Sequence, residues 1–153
     1  MKWLLVAVLA LLLIGIGLFA TRSYLSRANP PELGLLDGRL RACPASPNCV
    51  CSEGSSGEHQ IAAFPYRGDR ASTEAALRRA LGSLERSHVL QGQGDYWHVQ
   101  SVSALFRFID DVEFRFDDAA QLVQVRSASR VGYSDLGVNR KRIEHLRERY
   151  QAD

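Results

Sequence analysis

Residues 3–20 read WLLVAVLALLLIGIGLFA, 18 positions without a charge or a strongly polar group. As an α-helix this run spans about 27 Å, close to the hydrocarbon thickness of a thin bilayer. Twelve of its residues are Leu, Ile, Val or Phe. Each contributes about −0.3 to −0.6 kcal/mol at the centre of a spanning helix, so insertion is favoured by several kcal/mol. A helix packed on a soluble core would carry a polar face, and this one has none. The expectation is a transmembrane anchor over residues 1–21. A cleaved secretory signal is the alternative. It would have a shorter apolar stretch and a small-x-small exit, where Leu18-Phe19-Ala20 puts a bulky leucine. Lys2 stands on one side of the run and Arg22 and Arg27 on the other, so the positive-inside rule nearly balances. The short N-terminal tail and the cysteines discussed below favour a single-pass membrane protein with its soluble part exported to the periplasmic or extracytoplasmic side.

Beyond the run, residues 22–42 read as a juxtamembrane linker. Tyr24 and Arg22 suit the interface, and Asn29-Pro30-Pro31 stops a helix leaving the membrane. Residues 43–153 then form one domain, since 153 residues leave no room for two substantial cores. With Lys2, Arg22 and Arg27 set aside, 16 basic residues face 17 acidic ones. Non-specific nucleic-acid binding needs a positive surplus that this balance does not provide.

Periodicity outlines the domain. Gln60–Phe64 is a short apolar strand ended by Pro65. Ser72–Ser87 is a helix with Ala76, Leu77, Ala80, Leu81 and Leu84 in one stripe, Arg78, Arg79, Glu85 and Arg86 facing water, and Ser72 as its cap. Strands follow at Val89–Gln91, Tyr96–Val102, Asp110–Phe116 and Leu122–Ser127. The alternation of Val112, Phe114 and Phe116 with Asp111, Glu113 and Arg115 implies one buried and one solvated face, hence an antiparallel sheet. Asn139 can cap a last helix to Tyr150, with Ile143, Leu146 and Tyr150 inward. The order strand, helix, four strands, helix gives an α+β fold: an antiparallel sheet with two helices packed on one face, preceded by the transmembrane helix.

Three segments of this sequence, Cys43-Pro-Ala-Ser-Pro-Asn-Cys49-Val, Asp110-Asp-Val-Glu-Phe114 and Arg126-Ser-Ala-Ser-Arg-Val-Gly-Tyr-Ser-Asp-Leu-Gly-Val-Asn-Arg-Lys-Arg-Ile-Glu144, resemble the family catalogued as domain of unknown function 1499. The resemblance runs from about Leu33 to Tyr150. Cys51 stands where the family pattern leads one to expect serine. The resemblance implies the domain and no activity.

Three groups of residues carry candidate chemistry. Cys43-x5-Cys49-x-Cys51 lacks the paired spacing of a structural zinc site, and His59, His88, His98 and His145 are scattered. Pro44 and Pro47 could turn Cys43 back onto Cys49 in a disulfide, which an exported domain would keep; unpaired buried thiols are the alternative. In either case Cys51 is left over. Asp110, Asp111 and Glu113 form an acidic cluster, able to work as acid and base or simply to pair across strands with Arg126 or Arg115. Arg126–Arg149 holds seven basic residues against Asp135, Glu144 and Glu148. Within it Arg126, Ser127, Ser129, Arg130, Tyr133, Asp135, Asn139, Arg140 and Arg142 are candidate ligand-binding residues, because arginine forks and a helix N-terminus both favour an anion. The competing role is structural, with Arg126 and Arg130 paired to the acidic cluster and Asp135. No dinucleotide fingerprint, phosphate-cradling glycine loop or nucleophile elbow occurs, so no cofactor and no metal are implied.

Two function classes follow. The first is a membrane-anchored binding or interaction module, which recognises an anionic small molecule, a lipid headgroup or a membrane protein partner through the arginine-rich loop and helix start, without nucleic acid. The second is a hydrolase or metal-dependent enzyme built on Asp111, Glu113 and His98, which requires those three side chains to converge.

Overall fold

The computed structural model describes residues 1–28 and 30–152. Helix α1 (Lys2–Ala28) carries the apolar run and is long and apolar enough to cross a membrane. It continues through residue 22, where the linker was expected, and ends at Ala28; Asn29, the first residue of the expected stop, lies outside the described residues. A small hairpin follows, strands β1 (Leu35–Leu36) and β2 (Arg39–Leu40). Its two-residue turn is Asp37-Gly38, both at positive φ (51° and 75°), the backbone that a tight hairpin demands and that glycine and aspartate tolerate.

The body is a six-stranded antiparallel sheet. Its strands are β3 (Cys49–Cys51), β4 (Phe64–Pro65), β5 (Ser87–Gln93), β6 (Tyr96–Val102), β7 (Ile109–Asp117) and β8 (Leu122–Ser129). The spatial order is β3-β8-β7-β6-β5, with β4 also pairing along β8. Helices α2 (Arg70–Leu81) and α3 (Val138–Ala152) cover one face. Their buried residues Ala76, Leu77, Ala80, Ile143, Leu146 and Tyr150 meet Trp97, Val99, Val112, Phe114, Val123 and Val125 from the sheet in a single core. The α+β fold of the sequence reading is therefore present, and helix, four strands and helix follow in the expected order; the first strand, expected over Gln60–Phe64, is only Phe64–Pro65, and β1, β2 and β3 precede it.

Several local details differ, each for a physical reason. The cap of α2 is Asp69, whose carboxylate accepts the Ser72 amide at 2.8 Å, and the helix stops at Leu81 before Gly82. Leu84 still packs on the core from the turn beyond it. Arg78 does not simply face water: its guanidinium lies 4.3 Å from the Trp97 ring, which screens the indole from solvent. Asn139 does not cap α3; Asp135 does, accepting the Asn139 and Gly137 amides at 2.7 and 3.0 Å. Strand β3 holds the cysteine motif at the sheet edge, and Cys49, Val50 and Cys51 face Ala128, Ser127 and Arg126.

The largest departure concerns the second sheet face, expected to be solvated. Residues of the segment between α1 and β3 lie over it, and Asp111, Glu113 and Arg126 beneath are buried. Cys43 and Cys49 are joined by a disulfide, which fastens the end of this segment to β3, while Cys51 is a buried free thiol. Closing so short a loop contributes about 2 kcal/mol by chain entropy. The Cys43→Ala/Cys49→Ala double variant should lose about that much in chemical denaturation. Thiol titration of the unfolded, unreduced wild type should find one thiol, and three after reduction; an unchanged stability or three thiols before reduction would contradict the bond.

Candidate functional site

The register of the central strands generates the site. Glu113 on β7 sits opposite Arg126 on β8 and His98 on β6, and Asp111 sits opposite Ala128 and Gln100. Because successive side chains alternate, Asp111, Glu113 and Arg115 all rise from the face away from the helices. Three carboxylate–guanidinium pairs form there in a row. Arg130 grips Asp111 with two bonds, Nε to Oδ2 at 2.7 Å and Nη2 to Oδ1 at 2.9 Å. Arg126 Nη1 donates to Glu113 Oε2 at 2.7 Å. Arg115 donates to both oxygens of Glu53, at 2.8 and 3.1 Å.

Each pair is completed by the chain that covers it. Arg130 Nη1 reaches the Ser26 carbonyl at the end of α1 (3.3 Å). The Gly34 amide donates to Glu113 Oε1 (2.9 Å), and the Leu40 amide to Glu53 Oε2 (2.9 Å). Tyr96 Oη also donates to Glu113 Oε1 at 2.7 Å. Burial, then the neighbouring Glu113 charge and this hydrogen bond, hold the Tyr96 phenol far above its ordinary pKa, so it remains a donor. Glu113 is fully buried yet has three donors, which is how a carboxylate survives without water.

His98 Nε2 lies 2.7 Å from Asp111 Oδ1, so the side chains named for the hydrolase alternative do converge. Their acceptor sites are nevertheless occupied, by Arg130 on Asp111 and by three donors on Glu113. Among the described residues no three His, Cys, Asp or Glu side chains assemble a set that could hold a metal. Cys51 is wholly buried; burial pushes its thiol up, away from the reactive thiolate.

The residues expected to form one arginine-lined surface are divided among three places. Arg126 and Arg130 belong to the row just described. Arg142 lies at the other sheet face with Asp110, to which its Nη2 donates. There Asn139 Oδ1 accepts from Arg142 Nη1 and Ser127 Oγ, both at 2.6 Å, and Asn139 Nδ2 donates to Ser129 and to the Asn48 carbonyl, both at 3.0 Å. That is a lock between α3 and the sheet. Arg140 lies outside both, donating to the Glu58 and Gln60 carbonyls, while Tyr133 is exposed and Asp135 is occupied as the cap.

A cleft of about 600 Å³ lies between the covering segment and the sheet. Arg41, Arg126 and Arg130 supply its positive charge, Glu32 and Asp111 its negative charge. Nε of Arg126 and Nε of Arg41 are both buried, with no hydrogen-bond partner among the described residues. Arg41 was missed by the sequence reading, being placed in a linker. Its closest charged partner is the exposed Glu32, at 3.2 Å.

Asp111 supplies a pH test. Burial pushes its carboxyl up, but the hydrogen bonds and charges of Arg130 and His98 outweigh it and hold the pKa below the ordinary 3.8. A folded pKa below the unfolded one gives stability that is complete above the unfolded value and is lost as pH falls through the folded value. Asp111→Asn leaves Arg130 buried without its counter-ion and should cost about 3–5 kcal/mol near neutrality. In urea titrations the gap between variant and wild type should narrow below pH 3.8; a gap independent of pH would contradict the assignment.

A family model described as "Protein of unknown function (DUF1499)" matches residues 39–149. No curated protein and no solved structure matches the chain.

Proposed function

Since the chain belongs to the DUF1499 family, whose description carries no activity, we propose from the cleft itself that this is a membrane-anchored binding module. Helix α1 is the anchor, and the ligand is a small anion or the carboxylate or phosphate end of a larger molecule. The observation that carries this reading is the pair of buried guanidinium Nε donors, on Arg41 and Arg126, along one cleft. A buried donor without a partner costs about 1–3 kcal/mol, and an anion in the cleft would offer acceptor oxygens to the guanidinium groups of Arg41 and Arg126 that line it. The binding surface thus moves from the start of α3, where the sequence reading put it, to the far side of the sheet. Tethering then holds the cleft near other membrane components and raises its effective concentration there.

The export of the domain rests on the Cys43–Cys49 disulfide, which an oxidising compartment forms and a reducing cytosol would not keep. The hydrolase alternative has less support: it asks Asp111 or Glu113 to exchange protons while each already accepts several hydrogen bonds.

Arg41 gives the cleanest test, because it is only partly buried and pairs with an exposed glutamate. Thermal unfolding of the full chain in detergent, with inorganic phosphate or succinate at constant ionic strength, should show a rising Tm in the wild type. At a hundredfold excess over Kd the stabilisation is about 2.7 kcal/mol. Arg41→Gln should unfold at nearly the wild-type Tm without ligand and lose most of the shift. Equal shifts in both proteins, or an equal shift with chloride, would overturn the reading.

A further inference from the structure

Helix α1 is not the only apolar surface at its end of the molecule. The loop between β6 and β7, Ser103-Ala-Leu-Phe-Arg-Phe108, projects beside it, with Leu105 79% exposed and Phe106 39% exposed. Phe106 stacks on Phe19 of the helix, ring centroids 4.2 Å apart and planes 12° from parallel, and Phe108 flanks the same pair. An open apolar groove of about 630 Å³ runs between loop and helix, bordered by Leu12, Ile16 and Phe19 on one side and Leu105 and Phe106 on the other.

We infer that this loop is a second membrane contact: Leu105 and Phe106 enter the outer boundary of the bilayer beside α1, and lipid acyl chains fill the groove. The inference rests on the reading of α1 as a membrane anchor and adds to it how the domain sits on the lipid. Phe19 is the penultimate residue of the uncharged run. A ring stacked on it therefore lies within one helical turn of the level where the hydrocarbon ends. Arg22 and Arg27 follow Phe19 by about one and two helical turns, and Arg27 Nη2 donates to the Arg107 carbonyl at 3.2 Å, so basic residues succeed the rings on the domain side. Aromatic and aliphatic side chains below and arginines above match the layering of an interface facing anionic headgroups.

The attitude of the domain is set by neighbouring contacts. The Ile109 amide donates to Ser26 Oγ at 3.0 Å, so β7 begins against the end of α1 and the loop before it must run alongside the helix. A soluble partner would have to reach the groove through the same lipid that surrounds α1, which is why the bilayer is the occupant.

The test uses the full chain in phosphatidylcholine/phosphatidylglycerol vesicles with a nitroxide attached through Leu105→Cys. Cys51 is buried and Cys43 and Cys49 are bonded, so the new thiol labels selectively in the native protein. Leu11→Cys, in the middle of the apolar run, and Ala119→Cys, on the exposed turn at the opposite end of β7, serve as references. Relaxation by oxygen compared with a water-soluble nickel chelate reports depth. The expected ratio at Leu105 lies between those of the two references and clearly on the membrane side of Ala119. A ratio at Leu105 equal to that at Ala119, with Leu11 reading as hydrocarbon, overturns the loop contact and leaves the anchor intact. Protection of Leu105 from both reagents means that protein covers it, and overturns the contact too. If Leu11 itself reads as water, the anchor fails and the loop contact with it.

Discussion

Everything on the second face of the sheet depends on one arrangement, a row of three buried carboxylate–guanidinium pairs whose remaining hydrogen-bonding positions are filled by the chain that passes over them. Asp111–Arg130 takes the end of α1, Glu113–Arg126 takes the Gly34 amide, and Glu53–Arg115 takes the Leu40 amide. Such pairs gain little net stability over apolar side chains of the same volume, because desolvation offsets the attraction. Removing a single partner is another matter, since it strands a charge. The row therefore acts mainly by specification. It accepts a covering segment that presents a carbonyl and two amides at the right positions, and a displaced register would leave buried charges unsatisfied.

The covering segment in turn makes the molecule more than a two-layer sandwich. It ties the apolar helix to the central strand, so the body is held to α1 at Ser26 through the Ile109 amide and Arg130. The disulfide fastens its far end at β3. Between those fixed points lies the cleft that Arg41 and Arg126 line. One polar face thus positions the apolar helix, encloses the cleft and sets the attitude of the β6–β7 loop. The opposite polar cluster, Asp110 with Arg142, Asn139, Ser127 and Ser129, does quieter work by holding α3 to the sheet.

Much of this was legible in the sequence where a periodic signal was strong. Val112, Phe114 and Phe116 against Asp111, Glu113 and Arg115 predicts β7 and its inward face, and Ile143, Leu146 and Tyr150 predicts α3. The pairing of Glu113 with Arg126 was also legible as a cross-strand match. Alternation distinguishes apolar from polar, however, and says nothing of whether a second layer covers the polar side, so the same letters misled about burial. The signal for that layer was present in Leu35-Leu36-Asp37-Gly38-Arg39-Leu40, an Asp-Gly turn between two short segments that carry leucines, but it is short and sits between prolines and cysteines that suggest a linker. Arg41 was invisible as a cleft residue for the same reason. The clustering of arginines from Arg126 to Arg142 was real in sequence and illusory in space: Arg126 and Arg130 leave one face of a strand, while Arg142 leaves a helix on the other face.

Native-state hydrogen exchange at Gly34 and Leu40 tests the account most directly, because the Gly34 amide is held by Glu113 and the Tyr96 hydroxyl bonded to it, and the Leu40 amide by Glu53. Both should exchange far more slowly than the amide of Gly38, exposed at the hairpin turn. Exchange of Gly34 and Leu40 as fast as Gly38 would mean that the segment does not dock, and that the row of ion pairs does not organise the second face.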